Sequence, residues 1–247
     1  VIPKNDDYFT EYSKINRLKI ISNFSGSAGL AIILKDKNYL FTDGRYTIQS
    51  EIESGKYFQI VNFEKIVNCK LFNKLKLGLD PKLFTYGQVK KFFFNHNKVK
   101  FISKNLIDEI KTERINNKIP FFSLNNKITG EHRKSKINRI VNYLKKKKAD
   151  NLFVTAPENV AWILNIRGMD GPNSPIPNCR LIINKFKKIF LITEPQKAKM
   201  LIKEKIISKT QLINTFDLQD KLLSLNDKSF IIDNKSCSVF YEDIIKS

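Results

Sequence analysis

The chain has 247 residues, 42% of them apolar, and a formal net charge of +20 from 44 basic and 24 acidic residues. That length suits one large domain or two ordinary ones, and the apolar share is enough for a buried core, which excludes a disordered chain. The longest purely apolar run, Leu30 to Leu34, is far short of the roughly 20 residues a membrane helix needs, so no membrane partner is expected.

In chain order, Val1-Ile2 reads as the tail of a β-strand whose start is missing, and "VIPKNDDYF" lacks the basic and apolar regions of a signal peptide. Asn5 is the expected N-cap of a helix over "NDDYFTEY", with Asp6 and Asp7 in its first turn. "LKIISNFSGSAG" leads to a glycine turn, and "LAIILKDKNYLFT" reads as a hairpin turning at Lys35 to Asn38. "RYTIQSEIES" has helical spacing and stops at Gly55, "YFQIVNF" and "KLGLD" are strands, "TYGQVKKFFFN" is a helix and "KVKFI" a strand. Residues 104–125 read as a partly helical connection. Thr129 is the expected cap of the helix "GEHRKSKINRIVNYLKKKK", whose Ile137, Ile140, Val141 and Leu144 form one apolar stripe. Lys145 to Lys148 suit the negative end of that helix dipole.

The second half repeats this plan. "NLFVT" is a strand, "PENVAWILNIRG" a helix from Pro157 to Gly168 with Trp162 on its apolar face, and "RLIINKFKKIFLIT" a second hairpin. "PQKAKMLIKEKI", "TFDLQDKLLSL" and "SVFYEDIIKS" are helices, separated by the strands "QLIN" and "SFIIDN". Strands alternating with helices define an α/β class, and the recurrence implies two similar domains, residues 1–120 and 121–247, each a mixed β-sheet flanked by helices.

The basic excess is mostly Lys, spread along the chain among many Asn and Ile. A genome rich in A/T codons gives that composition, and base readout favours Arg, so a nucleic-acid partner is not expected. Cys69, Cys179 and Cys237 are widely spaced with no CxxC, which implies free thiols in a reducing cytoplasm rather than disulfides or a zinc site. His96 and His132 lie in no metal-binding pattern and suit surface or capping roles. The Asp6-Asp7 pair suits a helix start better than acid–base chemistry. No catalytic residue and no metal ligand is expected in this chain.

Two stretches invite a closer reading. In "TDGRY", Asp43 is the expected helix cap and Gly44 the residue with an unusual backbone. Arg45 would pair with a carboxylate across a domain or subunit boundary, and Tyr46 would pack with its hydroxyl satisfied. In "NIRGMD", Arg167 and Asp170 form an expected ion pair shaping an interdomain surface.

The "FxGSAG" turn, "TDGRY", "NLIDEI" and "AWILNIRGxD", in that order and spread over most of the chain, resemble the first two domains of three-domain aminopeptidase P, the Xaa-Pro aminopeptidases. The resemblance implies two tandem creatinase N-terminal-like domains, the first lacking its opening strand and helix, and no catalytic pita-bread domain in this chain. It implies a parent metallopeptidase that releases an N-terminal residue preceding proline. Two divalent metals, manganese in most members, would be held in that absent third domain by two Asp, one His and two Glu, where a bridging hydroxide attacks the scissile carbonyl. The partners implied are a peptide with proline second and another copy of the full-length chain, a homodimer. On this resemblance Asp43, Arg45, Tyr46, Arg167 and Asp170 are candidates for substrate access or for domain and subunit contacts. A non-catalytic binding module, like histone chaperones related to aminopeptidase P, is the alternative implied.

Overall fold

Short apolar strands bracketed by capped helices build two units, Val1–Ile115 and Asn116–Ser247. The computed structural model describes residues 1–10, 15–68, 70–94, 96–110 and 119–247; Cys69 lies outside them.

In the first unit, β1 (Ile2–Pro3) pairs antiparallel with β2 (Leu30–Ile33), β2 antiparallel with β3 (Asn38–Thr42), and β3 parallel with β4 (Gln59–Asn62). A separate parallel pair is β5 (Lys76–Leu79) and β6 (Lys98–Phe101). Helix α1 (Arg17–Ser22) starts where the Asn16 side chain accepts the Lys19 amide, and it stops at Asn23 in the left-handed region. Helix α2 (Thr47–Ser54) ends at Gly55, as expected. Helix α3 (Tyr86–Val89) opens on a Thr85–Gln88 capping box and continues into a π-helical turn, Lys90–Phe94. Helix α4 (Leu106–Ile110) closes the described part of the unit. Leu18, Phe24, Ala31, Leu40 and Phe58 form a buried cluster between α1, the hairpin and the residues ahead of β4.

In the second unit β7 (Phe122–Ser123) pairs antiparallel with β9 (Ile166–Arg167). Its main sheet runs β12 (Leu212–Ile213), β11 (Ile189–Ile192), β10 (Arg180–Asn184), β8 (Asn151–Val154), β13 (Phe230–Ile232). The β8–β10 and β10–β11 pairs are antiparallel, while β11–β12 and β8–β13 are parallel. The series β8, β10, β11, β12 therefore repeats the order and sense of β1, β2, β3, β4. Successive strand residues point to opposite faces. Leu181, Ile183 and Leu191 meet Val141 of α6 (Arg133–Lys146), Val160 and Leu164 of α7 (Pro157–Leu164), and Leu201 of α8 (Lys199–Lys203). Phe153, Ile182 and Ile192 meet Leu218 and Leu222 of α9 (Leu218–Leu223) and Tyr241 of α10 (Val239–Lys246). Both faces are covered, which is why these strands are nearly continuous in apolar residues. No helix among the described residues is long and apolar enough to cross a membrane.

Four local expectations fail. Residues 5–10 are not helical. The Asp6 carboxylate instead accepts the Tyr8 amide at 2.9 Å and the Thr10 amide and hydroxyl at 3.1 and 2.8 Å, while the Asn5 side chain donates to the Leu83 carbonyl. Asp6 thus folds a turn rather than starting a helix. Thr129 ends a short helix, α5 (Asn126–Thr129), and Gly130 turns the chain at φ 72°. The cap of α6 is His132, whose Nδ1 accepts the Lys134 amide. Helix α7 stops at Leu164 because Asn165 takes the left-handed conformation, so Gly168 is not its end. Trp162, expected in the core, is 52% exposed.

Candidate functional site

The "TDGRY" stretch leaves β3 and enters α2. Asp43 Oδ1 accepts the Arg45 amide and Nε, both at 3.0 Å, and Oδ2 accepts Nη2 at 2.7 Å. The Arg45 side chain therefore closes on its own turn, with 67% of it facing solvent. Its hydrogen bonds hold the Asp43 carboxyl below the usual carboxylate range. Gly44 has no positive φ, and nothing lies within 4 Å of the Cβ an alanine would add, which corrects the expectation of an unusual backbone there. Tyr46 fulfils its expectation: its hydroxyl meets Ser27 Oγ at 2.8 Å and its ring packs edge-on against Phe24 at 5.7 Å. The glycine that matters is Gly26, where a Cβ would come within 2.2 Å of the Phe24 ring.

The "NIRGMD" stretch is fixed by two lysines that sequence reasoning missed. Lys136 is buried; its Nζ donates to the Trp162 carbonyl and to Asn165 Oδ1, both at 2.7 Å, and lies 4.2 Å from the Trp162 ring centre. It satisfies a helix-end carbonyl and the side chain of the residue that ends α7, which is why Trp162 turns outward over it. Burial lowers the Lys136 pKa. Lys197 Nζ meets Asp170 Oδ1 at 2.9 Å with both side chains buried, and Asp170 Oδ2 accepts the Asn178 amide at 2.7 Å. The cation bound by Asp170 is thus Lys197, where Arg167 was expected. Arg167 directs Nη1 to the carbonyls of Ile166 and Ala161. Gly168 has no Cβ because Phe121 and the Pro177 backbone approach within 2.7 and 2.8 Å of where one would stand.

A third place is a polar cleft of about 250 Å³ beside α1 and α4. Arg17, from the start of α1, binds Asp108 through Nε at 2.7 Å and Nη2 at 3.0 Å, and reaches Asp7 at 3.5 Å. Asn105 donates to Asp80 at 2.9 Å, and Lys104 pairs with Glu109. This forked pair explains the acids of "NLIDEI": Asp108 fastens α4 to α1 from 91 positions away. Arg17 with Asp108 and Asn105 with Asp80 are engaged with one another there, and the first pair fastens α1 to α4.

A di-metal centre needs clustered carboxylates and histidines. Among the described residues no group of three His, Cys, Asp or Glu side chains is placed to hold a metal ion. His132 is taken by its cap. The resemblance assigns those metals to a third domain, and the described residues of this chain supply no ligand set that fits them.

The model of the creatinase/prolidase N-terminal domain matches residues 112–247, more than half of the chain, and the chain belongs to that family. Among curated relatives, a probable Xaa-Pro aminopeptidase P of Laccaria bicolor is 31% identical over 214 residues, 79% of this chain and 33% of the relative. Xaa-Pro aminopeptidase 1 of Dictyostelium discoideum is 29% identical over 223 residues, 78% of this chain and 35% of the relative. The chain spans about a third of the length of these relatives. The crystal structure of X-prolyl aminopeptidase from Caenorhabditis elegans, described as a cytosolic enzyme with a di-nuclear active site, superposes with a TM-score of 0.83. It covers all of this chain and 44% of that one at 22% identity, a likeness of fold.

Proposed function

We propose that this chain is the non-catalytic N-terminal region of an Xaa-Pro aminopeptidase, built of two tandem creatinase N-terminal-like domains that shape access to an active site lying outside these 247 residues. The observation that carries the reading is the match, along most of the chain, to proteins named Xaa-Pro aminopeptidase. The repeated strand order supports the tandem arrangement. Asp43, Tyr46, Arg167 and Asp170 serve this region as local fasteners, and Arg45, held by Asp43 but mostly facing solvent, is the residue of this set turned toward a peptide or a neighbouring surface. In the full-length protein the substrate is a peptide with proline second, the metals are two divalent ions, manganese by resemblance, and the assembly is a cytoplasmic homodimer.

The test is turnover. The purified 247-residue chain, incubated with an Xaa-Pro peptide with and without manganese, releases no N-terminal residue, while a chain extended past Ser247 through a pita-bread domain releases it in a metal-dependent way. Metal-dependent release by the 247-residue chain would overturn the non-catalytic assignment. An extended chain that binds peptide without cleaving it would favour a binding module instead.

A further inference from the structure

One end of the main sheet of the second unit gathers cations from separate elements. The register Asn184↔Asn151 and Phe230↔Asn151 brings the start of β8, the start of β13 and the β10–β11 turn to that end. Lys147 and Lys148 follow α6 there, Lys185, Lys187 and Lys188 occupy the turn, and Lys221 reaches in from α9. Asp150 holds the assembly together. Its carbonyl accepts the Lys185 amide at 2.9 Å, its carboxylate accepts the Ser229 amide and hydroxyl at 2.9 Å, and Lys185 Nζ pairs with it at 2.6 Å. Among the described residues no carboxylate forms an ion pair with Lys147, Lys148, Lys187, Lys188 or Lys221.

The turn carries an apolar tip. Phe186 is 77% exposed. The turn is held in shape from behind, since Asn184 Oδ1 accepts the Phe186 amide at 3.0 Å and the Lys188 amide at 2.9 Å, with Lys187 left-handed at φ 67°. Lys185 lies 5.4 Å from the Phe186 ring centre, and Lys188 and Lys221 lie 5.0 and 4.6 Å from that of Phe190. A projecting aromatic ringed by lysines matches a surface of anionic headgroups over an apolar layer, since Lys acts on phosphates and carboxylates as a point charge and Phe enters the acyl boundary.

We propose that this end of the second unit is a docking surface for an anionic lipid bilayer, with the lysines on the headgroups and Phe186 inserted between them. Such attachment is peripheral, reversible and weakened by salt. The test is co-sedimentation of the whole chain with phosphatidylcholine vesicles, with and without phosphatidylserine, at low and physiological ionic strength. Retention on the serine-containing vesicles alone, declining with salt, is expected. Lys187→Gln with Lys188→Gln weakens retention roughly 30-fold, at about one surface lysine's worth of attraction each. Phe186→Ala weakens it about 10-fold. The matched pair Lys76→Gln and Lys98→Gln, exposed opposite each other on β5 and β6, removes the same charge and leaves retention nearly unchanged. Absence of retention at low salt, equal loss from the control pair, or tighter retention on single-stranded oligonucleotide than on vesicles would each overturn the proposal.

Discussion

Replacing Asp170 by Asn isolates what the buried pair contributes to the second unit. The variant keeps an acceptor for the Asn178 amide, now 2.7 Å from the carboxylate. It leaves the Lys197 ammonium, 9% exposed, facing Glu194 at 3.9 Å, a carboxylate whose side chain is 41% exposed. Removing one partner of a buried pair costs about 3–5 kcal/mol, and Glu194 offsets part of the loss, which puts the cost near 3 kcal/mol. With a urea dependence of about 2 kcal/mol per molar, the unfolding midpoint falls by about 1.5 M. The assay is fluorescence in urea, because Trp162 is the only tryptophan and sits in this unit. Adding Lys197→Met removes the stranded charge and restores most of the midpoint, since a buried pair exchanged for uncharged groups is close to neutral. A shift below about 0.3 M for Asp170→Asn, or a double variant as unstable as the single one, would refute the reasoning.

Three further outcomes follow from the same geometry. Gly168→Ala drives a methyl into Phe121 and the Pro177 backbone and costs about 1–3 kcal/mol, whereas Gly44→Ala meets nothing and leaves stability within about 1 kcal/mol; thermal unfolding followed by circular dichroism ranks them. The Asp150 carboxyl is held well below the usual range by Lys185 and then by Ser229. A depressed folded pKa stabilises above the unfolded value, about 3.9, and the contribution fades as pH falls below it; the Trp162 urea midpoint therefore drops more between pH 7 and about pH 3 in the parent chain than in Asp150→Asn. Burial raises the Cys179 thiol out of reach and pushes Cys237 to about 12, so peptide-resolved alkylation at neutral pH spares both until urea unfolds the chain.

Elements whose cause is local were legible in the amino-acid order. The two hairpins have β-rich arms around short, lysine-bearing turns, and α6 shows an apolar stripe whose Val141 and Leu144 are buried with Ile137 and Ile140 packed against the core. What escaped depends on partners far along the chain. Arg17 and Asp108 are 91 positions apart, Lys136 and Asn165 29, and Lys197 and Asp170 27. No periodicity announces which lysine of a Lys-rich chain is buried. Trp162 was misplaced for the same reason: its helical position looked apolar, but the buried ammonium beneath it turns its ring toward solvent. The cap of α6 went to His132 over Thr129 because Gly130 inserts a left-handed turn between Thr129 and that helix.

The motifs that carry the resemblance turn out to be packing devices. Gly26 leaves room for the Phe24 ring, Tyr46 pins the "GSAG" loop through Ser27, Asp108 grips Arg17, and Asn165 and Gly168 let α7 stop and the chain pass Phe121. Each makes a packing or hydrogen-bond contact inside its own unit. These contacts support the fold and by themselves say nothing about a reactive centre, since function has to be argued from the site. The motifs argue strongly for the fold, and chemistry has to be argued from ligand-bearing residues, which is why the decisive measurement is turnover by this chain and by one extended with a catalytic domain rather than a further match to the motifs themselves.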